Sequence, residues 1–72
     1  MDGYQELAIA IVVQAAKDYR STLKEMKRHP EMKALKRRAE RIEAFIRSDW
    51  CHTLIGADGE SIITRLKKEV EE

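Results

Sequence analysis

Leu7-Ala8-Ile9-Ala10-Ile11-Val12-Val13 is seven apolar residues in a row, and how that run is read decides the fold of this 72-residue chain. Taken alone, the β-branched Ile-Ala-Ile-Val-Val would suit a strand. Its continuation makes it a helix. At 100° per residue, Tyr4, Leu7, Ala8, Ile11, Val12, Ala15, Ala16, Tyr19, Thr22, Leu23 and Met26 fall within about half the circumference, the wide stripe of a helix lying on a core. Ala15 and Ala16 sit inside that stripe, and alanine is the best helix former. Ile9 and Val13 lie four residues apart on nearly the opposite side, beside Arg20 and Lys24, and need a different cover. Upstream, Asp2 and Gln5 have the spacing of a capping box, and Glu6 adds negative charge at the positive end of the helix.

His29-Pro30 ends this first helix, because a residue before proline is pushed out of the α region, while proline itself suits the first turn of a new helix. The second helix shows Met32, Leu35, Ala39, Ile42 and Ile46 at alternating steps of three and four, a seam matching an antiparallel partner. On that reading the seam also covers Leu7, Ala8, Ile11 and Val12 of the first helix, and Phe45 borders it. On the far side Lys33, Arg37 and Arg41 form an i, i+4, i+8 basic row, and Lys36 with Glu40 and Glu43 with Arg47 are oppositely charged i, i+4 pairs. Ser48 before Asp49 is a fresh N-cap, and Gly56 a C′ residue, for a short helix from Asp49 to Ile55. Asp58-Gly59-Glu60-Ser61 starts a last amphipathic helix carrying Ile62, Ile63, Leu66 and Val70. Glu69, Glu71 and Glu72 oppose the dipole at its end, which predicts fraying.

Seventy-two residues allow one small domain with a thin stability margin, which needs a staple or a partner. A single cysteine, Cys51, rules out an intrachain disulfide, and with no basic-then-apolar opening the chain reads as cytoplasmic and reduced. The apolar run is far below the roughly 18 residues that span a bilayer. The formal net charge of +1 hides a segregation: residues 17–47 hold 11 Lys or Arg against 5 Asp or Glu, while residues 1–16 and 48–72 are both net acidic. The basic row, backed by Arg38 and by Lys24, Lys27 and Arg28 near the turn, is the surface on which phosphates or an acidic protein could be gripped. A solvated face would carry similar charge, and Glu31, Glu40 and Glu43 dilute this one.

Other chemistry finds little footing. Trp50-Cys51-His52 invites a metal or nucleophile reading, but helical neighbours point about 100° apart and a zinc site needs four converging ligands. Cys51 reads as a small core residue and Trp50, with Phe45, as a core anchor closing the open end. Asp49, Asp58 and Glu60 read as caps, since the alternating oxygens of a calcium loop are missing. Tyr4 and Tyr19 either border a pocket for a planar ligand or belong to the core. There is no glycine-rich phosphate loop and no serine elbow, so the chain reads as non-enzymatic, without cofactor or metal.

Glu43-Ala44-Phe45-Ile46-Arg47-Ser48-Asp49-Trp50, followed by Asp58-Gly59-Glu60 and Ile62-Ile63-Thr64-Arg65-Leu66, resembles a group of short uncharacterised proteins from phages and prophages of Gram-positive bacteria. The likeness extends to Ala15-Ala16-Lys17-Asp18-Tyr19-Arg20 and covers about half of the chain. It carries no activity and no site residue. What it implies is an origin, a small accessory protein that acts by binding a host or phage macromolecule.

These readings converge on an all-α fold forming one domain over residues 1–72: an antiparallel two-helix hairpin with one or two short C-terminal helices packed across its open end. The expected function is that of an accessory protein that occupies a macromolecular partner through Lys33, Arg37, Arg38 and Arg41, for example to inhibit a host system. A nucleic-acid regulator using the same cations on phosphates is the alternative, and an oligomeric sponge for a small nucleotide is a third. Ile9 and Val13 are assigned to self-association unless Ile62, Ile63 and Leu66 of the same chain cover them.

Overall fold

The computed structural model describes residues 3–71, apart from the side chains of Tyr4 and Gln5. The capping box of Asp2 with Gln5, the placement of the Tyr4 ring and Glu72 therefore lie outside the described residues. Four helices follow one another, α1 (Gly3–Arg28), α2 (Lys33–Ile46), α3 (Asp49–Ile55) and α4 (Gly59–Glu71), with no strand among the described residues. The all-α class is as expected. The chain measures 43 × 19 × 19 Å, and its long axis is that of α1, whose 26 residues span about 39 Å at 1.5 Å per residue.

The break at His29-Pro30 ends α1 at Arg28, and the turn closes through His29 N–H to Glu25 O (2.9 Å) and Met32 N–H to His29 O (3.0 Å). Pro30 falls in this connection, and α2 begins only after Met32, which is extended and offers no side-chain cap. Ser48 then separates α2 from α3 by acting on both. Its hydroxyl donates to Phe45 O at 2.6 Å and accepts the Cys51 N–H at 3.2 Å. α3 stops at Gly56, in the left-handed region at φ 64°, whose N–H reaches His52 O at 2.8 Å. The N-cap and the C′ glycine both stand where the sequence placed them.

One core joins α1, α2 and α4: Tyr19, Ala39, Ile46, Ile63 and Leu66 are buried, with Ala16, Leu23, Met26, Ile42, Phe45 and Ile62 packed around them. The second-helix seam is therefore real, although Met32 at its start is exposed. α3 follows the end of α2 and touches both α1 and α2. α4 goes further than the open end, running back along α1 and α2 toward their turn. Its first residue, Gly59, lies against Ile46 O, and its far end meets α1 where Arg20 pairs with Glu69 at 3.3 Å and Lys27 Nζ donates to Val70 O at 2.7 Å. Lys27 thus supplies a cation and a donor at the helix terminus that the acidic residues alone would have weakened.

Two sequence expectations are corrected. The 14 residues of α2 reach about 21 Å, roughly half of α1, so the seam does not extend to Leu7 and Ile11, which are 61% and 45% exposed, and Val12 is only half-buried. Of that group Ala8 alone is buried. Trp50 is not a core anchor: it is 40% exposed, its ring tilted against Phe45 at a centroid distance of 5.7 Å. The Ser48 cap sets the rotation of α3 so that Cys51 turns fully inward, and Trp50, about 100° away on the helix, turns outward. Phe45 is half-buried at the margin of the core.

Of the three glycines, Gly59 alone is tightly packed. A Cβ there would stand 2.7 Å from Ile46 O and 3.0 Å from Arg47 Cα, both backbone atoms that cannot step aside. Gly59→Ala should lower stability by about 1–3 kcal/mol, seen as a fall in Tm by circular dichroism, whereas Gly3→Ala, with open space around it, should not. An unchanged Tm for Gly59→Ala would remove this contact from the account.

Candidate binding surface

Because Leu35, Ala39, Ile42 and Ile46 turn α2 inward, Lys33, Arg37 and Arg41 stand on its opposite side, and all three are exposed. Arg38 is exposed on one flank and Lys36 on the other. Among the described residues none of these five cations has a carboxylate within 4.0 Å. The expected Lys36–Glu40 pair is not formed, while Glu43–Arg47 is, at 3.3 Å. Lys33 and Lys36 also occupy the first turn of α2, which has no acidic residue and where the helix dipole disfavours positive charge. Among the described residues this charge is left without an ion-pair partner.

The cations nearer the turn are more engaged. Arg28 lies 4.0 Å from Glu25 and Lys27 is used on Val70 O, while Lys24 is exposed on α1 with no ion-pair partner among the described residues. Between the two helices a depression is lined by Met26, Pro30 and Met32 together with His29, Glu31, Lys33 and Lys36. The sequence placed Met26 in the core, where it packs, and Met32 in the seam, where it is instead exposed; the depression was missed because periodicity does not show where a seam opens at its end.

Tyr19 Oη donates to Glu43 Oε2 at 2.6 Å, Glu43 Oε1 takes Arg47 at 3.3 Å, Lys67 stands 4.0 Å from Glu43, and Arg47 also pairs with Glu60. Tyr19 is fully buried and belongs to the core. Burial first, and then the bond to the Glu43 carboxylate, hold its phenol far above the ordinary value near 10. Asp49, His52, Asp58 and Glu60 line one depression beside the α3–α4 loop. Three of them have partners within the fold: His52 Nδ1 lies 3.0 Å from Ala57 O, Asp58 accepts from Ser61 at 3.4 Å, and Glu60 holds Arg47. Among the described residues no three His, Cys, Asp or Glu side chains are grouped to hold a metal ion. Cys51 is buried, and burial pushes its thiol pKa up, away from the reactive thiolate.

Among the described residues no helix is long and apolar enough to cross a membrane. The chain matches no protein-family model, no curated protein and no solved structure.

The raised Tyr19 pKa carries a pH dependence. A group that holds its proton more tightly when folded contributes stability below its unfolded pKa and loses that contribution as pH rises above it. Tyr19→Phe should therefore be less stable than the parent by about 1 kcal/mol at neutral pH. The gap should close as pH climbs above 10, the ordinary tyrosine value. Urea unfolding of both proteins across that range checks it, and a constant gap would contradict the assignment.

Proposed function

We propose that the chain is a non-enzymatic accessory protein that occupies an acidic surface on a macromolecular partner, in the manner of a phage-encoded inhibitor of a host system. In this reading α1 and α2 act as a rigid antiparallel hairpin that presents the exposed face of α2, with Lys33, Arg37, Arg38 and Arg41 as the contact cations. The observation that carries it is the run of five exposed cations over residues 33–41 without an ion-pair partner in the described residues. Unneutralised charge of one sign raises the encounter rate with a partner of the opposite sign and fixes its orientation. The depression where Met26, Pro30 and Met32 meet Lys33, Lys36 and Glu31 favours a protein over a polyphosphate backbone, since mixed apolar and charged ground suits a protein interface. The resemblance to small phage and prophage proteins supports the same reading, with the cytoplasm as the place of action.

A nucleic-acid role is the second reading, because the same row would meet phosphates equally well. The two separate by experiment. Arg37→Glu with Arg41→Glu should abolish capture of the protein partner at unchanged helical signal, with nuclease present, and unchanged capture would put the surface elsewhere. Binding to generic DNA or RNA whose log affinity falls with log salt at a slope of about −3 to −4, as roughly four phosphate contacts require, would instead establish the second reading.

A further inference from the structure

Ile9, Ala10 and Val13 are exposed, Ile9 to 43% and Val13 to 47%. Ile62, Ile63 and Leu66 of the same chain are engaged elsewhere. Ile63 and Leu66 are buried in the α1–α2–α4 core, and Ile62 packs against it. The patch is bracketed by two exposed charges, Glu6 before it and Lys17 after it, and neither has an ion-pair partner among the described residues. Glu6, Ala10, Val13 and Lys17 follow one another at steps of four, three and four, which places all of them on one stripe of α1 about 60° wide, with Ile9 at its edge.

Such a stripe is its own antiparallel complement. We infer that the N-terminal half of α1 pairs with the same segment of a second copy of this chain, antiparallel, about a two-fold axis crossing the helix between Ile11 and Val12. That register sets Glu6 opposite the second copy's Lys17, and Lys17 opposite its Glu6. Ala10 then faces the second copy's Val13, a small residue against a larger one, and Ile9 lies beside the same contact. A parallel pairing would set Glu6 against Glu6 and Lys17 against Lys17, so the charges themselves choose the antiparallel arrangement. The pairing leaves both turns, and the cations beside them, at opposite ends, about 50 Å apart along the joined helices.

Sedimentation equilibrium tests this at tens to hundreds of micromolar. The mass should approach twice the 8.4 kDa of the chain. Lys17→Glu and Glu6→Lys should each weaken the dimer by about tenfold or more, and the combined E6K/K17E variant should regain it, because opposite charges again face each other. The double variant carries the same first-turn cation as E6K, so its recovery cannot come from a better helix, and circular dichroism checks that each variant is folded. Ile9→Lys with Val13→Lys should give the monomer mass. A parent that stays at 8.4 kDa throughout, or a double exchange no better than the single ones, would overturn the proposal.

Discussion

The structure turns on a mismatch of length. α1 has 26 residues and α2 has 14, so α2 covers only the half of α1 nearest the turn. In that half every element of a small core is present: Tyr19, Leu23 and Met26 from α1, Ala39 and Ile46 from α2, Ile63 and Leu66 from α4. In the other half α3 supplies the remaining cover and buries little beyond Ala8. A side chain such as Ile or Val gives about 1.5–3 kcal/mol when fully buried, against a total stability of about 5–15 kcal/mol for ordinary domains. Leaving Leu7, Ile9, Ile11 and Val13 between 43% and 61% exposed is therefore a large omission for 72 residues.

What the inner half lacks in size it gains in connection. Glu43, largely enclosed where α1, α2 and α4 meet, takes the Tyr19 hydroxyl and Arg47, with Lys67 close by, and Arg47 passes the link to Glu60 at the start of α4. A carboxylate in that position would be costly without partners. With them it specifies how the three helices meet, since any other register separates donor from acceptor. Among the described residues no buried side-chain nitrogen or oxygen is left without a hydrogen bond. Gly59 completes the fit by letting the backbone of α4 close on the end of α2.

Much of the fold was legible because it is written in local signals. Ser48 and Gly56 mark the ends of α3 by their own backbone chemistry, and Ala39, Ile42 and Ile46 announce the inward face of α2 by spacing. Trp50 was misread because size suggests an anchor, whereas its direction is set by a hydroxyl two residues earlier. Leu7 and Ile11 were misread because helical periodicity tells which residues share a face and not how far a partner extends along it, although the lengths of the two helices contained that answer. Lys27 on Val70 O and Tyr19 on Glu43 join residues 43 and 24 positions apart, and no periodicity announces such pairs. Of the candidate surface, the basic row was visible as an i, i+4 pattern. Its freedom from ion pairs among the described residues, and the depression at Met26, Pro30 and Met32 near its start, needed the fold.

The charge map and the length mismatch describe one molecule with two unlike ends, an apolar one at the start of α1 and a basic one around the turn and α2. α1 is thus divided: its inner half is held by α2 and α4, while its outer half has only α3 from its own chain among the described residues and, in the pairing proposed above, is completed by a second copy. Residue-resolved amide hydrogen exchange along α1 tests this most directly. Strong protection from Ala15 to Arg28 at every concentration, with Leu7 to Val13 exchanging far faster in dilute solution and slowing as concentration rises, is the predicted result. Uniform protection along the whole helix, independent of concentration, would contradict it.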